Sequence, residues 1–267
     1  MKTLLSLAFS CLSIIALAQS DILITPFRVV LENGKTIEEL SVANTGNDTA
    51  RYTISFVQYK MNPDGQLQQI TEPQEGQYFA DRFLRVFPKS VVLAPKEAQI
   101  VRLQARMPID AAPGEYRSHL YFRSAGEQEA IGFEAEGADG LGIQLIPIYG
   151  ITIPVIVRVG ESDVKVELNN ATLNPGEQPS VNLTISRSGM HSVYGDLELL
   201  HYDSEGNERL AGLVRGVAVY TPLDDRSMKI PFNKTTTPPE SGRLRVVYTV
   251  TSNGKKEVLA ETDVPLN

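Results

Sequence analysis

The chain has 267 residues, with 25 basic against 32 acidic side chains and a formal net charge of −7. That balance argues against nucleic acid or an anionic membrane surface as the main partner. With 42% hydrophobic residues, one Cys, three His and no Trp, the composition fits a folded protein but leaves no material for a Cys-rich zinc site, a disulfide framework or a thiol nucleophile.

Met1 to Ser20 reads MKTLLSLAFSCLSIIALAQS. Lys2 is a short basic start, Leu4 to Leu17 an apolar run and Ala16-Leu17-Ala18 a small-x-small cleavage signal. The pattern predicts a secretory signal peptide over 1–18 and an exported product. A lipid-attached Cys11 is the minor alternative, and Phe9-Ser10 suits it poorly. No later segment reaches the ~20 continuous apolar residues of a membrane span.

Beyond that point apolar and polar residues alternate with period two, the signal of half-buried strands. Ile22 to Leu31 reads as the first strand, stopped by Glu32-Asn33-Gly34. Leu40 and Val42 follow, then Tyr52, Ile54 and Phe56, ended by Asn62-Pro63-Asp64-Gly65. Val91 and Leu93 lie between Pro88 and Ala94-Pro95-Lys96-Glu97. Val101, Leu103 and Ala105 alternate next, then Tyr116, Ser118, Leu120 and Phe122. Arg117, His119 and Arg123 occupy the opposite face of that strand and read as its solvated side. A second series comprises Val164 to Leu168, Val181 to Ile185, Val193 to Tyr202, Leu213 to Val219, Met228 to Phe232, Leu244 to Thr251 and Glu257 to Val264. No long stretch carries a capped helical stripe. The expected class is all-β, with two immunoglobulin-like β-sandwich domains in series over 19–158 and 159–267.

Two segments exceed what a plain sandwich needs. Leu141 to Arg158 is an apolar, β-branched run far longer than the ~5–6 residues of a usual strand. It reads either as a long core strand broken at Pro147, Gly150 or Pro154, or as a core strand with an overhang presenting Leu141, Ile143, Leu145 and Pro147 on one face. Ser124 to Gly140 just before it is acidic and rich in Gly and Ala, the composition of a loop. An exposed apolar edge is normally suppressed, so retaining one points to a partner that adds a strand.

The opening Ile24-Thr25-Pro26-Phe27-Arg28-Val29-Val30 resembles the periplasmic pilus and fimbrial assembly chaperones, the PapD-like proteins. So do Leu40 to Thr45, Leu93 to Arg102, Gly114 to Phe122 and the Leu141–Arg158 run. The likeness lies in the first domain; over the second it rests on size and strand character. It implies two immunoglobulin-like domains set at an angle and a partner of pilin type whose own fold lacks its last strand. It also implies ATP-independent donor-strand complementation from Leu141, Ile143, Leu145 and Pro147. An outer-membrane usher would be a further partner, and self-association could cover the edge in the free state. The family anchors the subunit's terminal carboxylate with a basic pair. Arg28 matches the first member; the second, a lysine, falls at or near Thr152, a departure from the pattern whose missing charge Arg117, His119 and Arg123, sharing one face of a neighbouring strand, could supply. Arginine suits that task because its planar fork donates two parallel hydrogen bonds.

An enzyme is not expected. His119, His191 and His201 lie in no catalytic context, and no phosphate loop, H-E-x-x-H or calcium loop is present, so no cofactor or metal is implied. The rival reading is a secreted adhesion or envelope scaffolding module binding a surface polymer or protein, since sandwiches host many functions.

Overall fold

The structure, a computed structural model, describes residues 22–32, 34–125, 131–132, 144–145, 149–161, 164–234, 238–239, 241–252 and 254–266. The expected signal peptide lies outside them. Strands β1 (Ile22–Thr25), β2 (Val29–Leu31), β3 (Ile37–Asn44), β4 (Ala50–Met61) and β5 (Leu67–Ile70) open the chain. After a single 3-10 turn at Asp81–Phe83 come β6 (Leu84–Phe87), β7 (Ser90–Leu93), β8 (Ala98–Ala105) and β9 (Gly114–Ser124). Two short strands, β10 (Ile131–Gly132) and β11 (Gln144–Leu145), pair with each other, and β12 (Gly150–Val159) follows.

These strands make a sandwich. The sheet ordered β1-β3-β8-β6 faces the sheet ordered β2-β12-β9-β4-β5, to which β7 adds by pairing with β4. Ile24, Leu40, Val42, Leu103, Leu120, Phe122 and Val155 fill the space between. The buried side chain of Asn44 ties two turns to this core. Its amide donates to the carbonyls of Asp48, Leu93 and Ala94 at 2.7–3.1 Å and its oxygen accepts from Gly46 N–H at 2.9 Å. The stretch Ile22–Leu31, expected as one strand, is two. β1 pairs with β3 in one sheet, and β2 pairs in parallel with β12 in the other. Pro26, which has no N–H for a ladder, sits at the crossover.

The second sandwich contains β13 (Lys165–Asn174), β14 (Ser180–Ser188), β15 (Val193–Tyr202), β16 (Glu208–Val219), β17 (Asp225–Pro231), β18 (Arg243–Ser252) and β19 (Lys255–Val264). The sheet β13-β14-β17 packs on β16-β15-β18-β19 around Val181, Ile185, Leu197, Leu199, Ile230, Val246 and Tyr248. Gly195 is required where β15 and β18 approach, because a Cβ there would lie 2.2 Å from the Thr249 carbonyl oxygen. The all-β class and the two immunoglobulin-like sandwiches are as expected. No helix among the described residues is long and apolar enough to cross a membrane.

Candidate functional site: the cleft between the sandwiches

Strand alternation creates this site. On β12, Ile153, Val155 and Val157 point into the first core, so Thr152, Pro154, Ile156 and Arg158 point the other way. The antiparallel register with β9 sets Pro154 beside His119, Ile156 beside Arg117 and Arg158 beside Glu115. In parallel β2, Val30 is opposite Ile156, so Arg28, two residues earlier, is on the same face. The second sandwich covers this face with the segment before β15 and the end of β16. Ile156, Ala218 and Tyr220 form a small apolar cluster joined by Val30 and Met61.

The side of β9 expected to be solvated is buried there. Arg117 and His119 are each only 2% exposed, because the second sandwich, not water, lies over them. Arg123, farther along, is exposed as expected. The Arg117 guanidinium sits 4.1 Å from the Tyr220 ring centroid. Its Nη2 donates to the carbonyls of Tyr59 and Thr221, each at 3.3 Å, while Nε and Nη1 have no hydrogen-bond partner among the described residues. Burial pulls it down to about 10, against the pull of Tyr220 and Glu115, so it stays charged at neutral pH. His119 packs edge-on against Tyr59, with ring centroids 4.9 Å apart. Burial, followed by the charges of Arg117 and Arg28, lowers its pKa to about 3. It is therefore a neutral packing residue with no readiness to act as a base.

Arg28 sits on the same aromatic ring. Nη1 donates to the Tyr220 hydroxyl at 3.0 Å and Nη2 reaches Ser192 Oγ at 3.5 Å, with the guanidinium 4.7 Å from the Tyr194 ring centroid. It is half-buried and has no carboxylate partner among the described residues. Its counterpart Arg158 is fully engaged. Nε meets Glu115 Oε2 at 3.3 Å, Nη1 meets Glu32 Oε2 at 3.0 Å, and Nη2 donates to the Ser192 carbonyl at 2.7 Å. The same Glu115 oxygen accepts from Ser192 N–H at 2.9 Å and Ser192 Oγ at 2.6 Å. Glu115 thus clamps the two sandwiches together. A second contact comes from the β4–β5 hairpin, where Ser227 N–H donates to the Pro63 carbonyl at 2.7 Å.

Among the sequence-derived candidates, Arg28 lies in this cleft. Thr152 is on the cleft-facing side of β12, two residues beyond Pro154, the position that extends the β2 register alongside Arg28. Leu141, Ile143 and Pro147 lie outside the described residues, and for Leu145 the backbone pairing with Ile131 is what is described. Glu115, Ser192, Tyr194 and Tyr220 were not singled out by sequence. The available signal was Glu115, Arg117 and His119 on one strand face, which also suits a solvated surface. Among the described residues no group of three or more His, Cys, Asp or Glu could hold a metal ion.

No protein-family model matches the chain, and no curated protein matches it significantly. Solved structures similar to it include the YadV chaperone, at 10% identity over 91% of this chain and 100% of that one, with a TM-score of 0.47. The Pseudomonas aeruginosa CupB2 chaperone is 13% identical over 91% and 100% of the two chains, with a TM-score of 0.48. A third is from the Salmonella enterica SafA pilin in complex with the SafB chaperone, at 13% identity over 90% and 92%, with a TM-score of 0.39.

Proposed function

We propose that the protein is a periplasmic, non-enzymatic chaperone for surface-fibre subunits with an incomplete immunoglobulin fold. It acts without ATP, by lending the strand that begins at Leu141, and Arg28 receives the subunit's terminal carboxylate. The carrying observation is Arg28 itself: a half-buried guanidinium fixed on Tyr220 and Tyr194 with no carboxylate among the described residues to neutralise it. A guanidinium so placed matches a carboxylate by charge and by its two-pronged geometry. Two further facts support the reading. Among the described residues, β12 pairs with β2 over Val155–Val157 alone, so 150–154 has β9 on one side and no strand on the other. The first-domain segments that resemble PapD-like chaperones include Arg28 and this strand.

The test is recovery of bound subunits from the cell envelope. Wild type is expected to bring down a small β-rich subunit. The Ile143→Glu/Leu145→Glu double variant should lose it, and Arg28→Ala should reduce it, with circular dichroism confirming that both variants fold. If both variants hold the subunit as well as wild type does, strand donation and the Arg28 anchor are refuted together.

A further inference from the structure

A second cleft, open to solvent and sharing no residue with the Arg28 site, lies where the tip of the β4–β5 hairpin meets β14 and β17; it measures about 510 Å³. Strand alternation sends Leu183 into the core and leaves Asn182 and Thr184 outside. The register sets them beside Lys229 and Ser227 of β17. β13 adds Asn170, inside the bulge between Asn169 and Thr172, with a left-handed φ of 55°. Asparagine tolerates that conformation, and a bulge re-aims the side chain it carries. Asp64 lines the cleft from the hairpin tip, where Ser227 N–H donates to the Pro63 carbonyl. Gly65 permits this approach, since a Cβ there would lie 2.3 Å from Arg226 Nη2.

Two polar rows on this sheet behave differently. Asn169 Nδ2 donates to Ser186 Oγ at 3.1 Å and Ser186 Oγ to Asp225 at 2.6 Å, so that row satisfies itself. The side chains of Asn170, Asn182, Thr184, Ser227 and Lys229, which line the cleft, make no hydrogen bond or ion pair with any described residue. Carboxamides and hydroxyls both donate and accept, so they match a ligand that does the same. Burial lowers the Arg226 pKa, and the nearby Asp64 charge works against that shift. Two cations against one carboxylate leave one net positive charge, carried by the exposed Lys229, and a single exposed ammonium gives an anion little hold. Apolar lining is confined to Leu183 and Met228, too little for the apolar centre of a protein interface. The volume lies within the ~300–1,000 Å³ range of ligand pockets, and the open form admits a chain that enters and leaves. An uncharged glycan meets these demands. The two asparagines select further: each presents a C=O beside an N–H, the complement of an acetamido group.

We infer that this cleft binds an uncharged glycan chain bearing acetamido groups. Asn170 and Asn182 read the acetamido amide, and Thr184, Ser227 and Asp64 take the ring hydroxyls. The assignment goes beyond the chaperone reading and does not rest on it, since neither Arg28 nor the 141–158 strand takes part.

The test is isothermal titration calorimetry of the intact protein with chitotetraose and with cellotetraose, the same β-linked backbone without acetamido groups. Chitotetraose is expected to bind about ten-fold or more tightly, the worth of one or two hydrogen bonds. Asn182→Ala should weaken it about five- to ten-fold, and so should Asn170→Gly, which removes the amide and keeps the left-handed backbone. Ser186→Ala, in the self-satisfied row, should leave it unchanged. No binding by about 5 mM chitotetraose, equal binding of the two sugars, or no effect of either asparagine variant in folded protein overturns the assignment. Displacement of chitotetraose by inorganic phosphate below the sugar's own Kd makes the cleft an anion site and overturns it as well. Subunit recovery with Asn182→Ala is expected to equal that of wild type. Loss of the subunit in that variant makes the cleft part of the partner's seat and overturns the glycan assignment, whereas failure of wild type to bring down any subunit counts against the chaperone reading alone.

Discussion

Replacing Glu115 should uncouple the sandwiches. Its side chain is 0% exposed and one of its oxygens accepts from Ser192 N–H, Ser192 Oγ and Arg158 Nε. Removing one partner of a buried charged pair costs about 3–5 kcal/mol, much of it from the charge left behind. Arg158 retains Glu32 and the Ser192 carbonyl after the loss, so the cost falls just below that range, and Glu115→Ala is expected to cost about 2–3 kcal/mol. With a urea m-value of about 2 kcal/mol/M, the midpoint moves down by roughly 1–1.5 M. The readout is urea unfolding followed by far-UV circular dichroism, alongside a double-mutant cycle with Ser192→Ala. Coupling of at least about 1 kcal/mol is expected, because Ser192→Ala deletes the Oγ–H bond to the buried carboxylate while keeping the main-chain one. A midpoint shift equivalent to less than about 0.5 kcal/mol, with additive single effects, would refute the clamp.

His119 makes stability depend on acid. Its native pKa of about 3 lies below the ordinary value of 6.5, so from about pH 6.5 downward the unfolded chain takes up a proton that the native cleft refuses. Stability attributable to it should therefore fall by up to about 1.4 kcal/mol per pH unit between pH 6 and pH 4, and rise again with pH. Unfolding midpoints of His119→Gln should decline less steeply over that window than wild type; parallel curves would count against a neutral buried imidazole. Arg117→Met should leave stability unchanged or raise it by up to about 2 kcal/mol, because two buried guanidinium nitrogens lack partners among the described residues and a buried cation is often replaceable by an apolar side chain. A loss above about 1.5 kcal/mol in thermal unfolding would show that its two carbonyl bonds and ring contact outweigh that cost. Gly195→Ala forces a methyl against the Thr249 carbonyl and should cost about 1–3 kcal/mol by overpacking, seen as a lowered Tm.

In the second sandwich β14 and β15 were legible in the sequence because one face of each is core and buried residues alternate along them, whereas β16 and β18 break period two with runs of buried residues. Val193–Tyr202 coincides with β15, and the pairs β18–β19 and β14–β17 fall close to their expected limits. The first strand was misread as continuous, since alternation continues through Pro26 while the hydrogen-bond partner changes from β3 to β12. The cleft was the least legible part. A polar strand face covered by another polar face has the same sequence pattern as one covered by water, and Glu115 meets Ser192 across 77 residues of chain. Arg28 was found through family resemblance; composition and spacing alone left it an ordinary edge-strand charge.

The clamp also distributes evolutionary freedom unequally. On one side it requires particular side chains, a carboxylate at Glu115 and a guanidinium at Arg158. On the other, two of its bonds go to the N–H and carbonyl of Ser192, which almost any residue supplies if the main chain keeps its path. The Ser192 hydroxyl, 2.6 Å from Glu115 Oε2, is the one side-chain requirement the clamp places on the second sandwich, beside the path of the turn before β15, whereas the first sandwich must supply both charged groups.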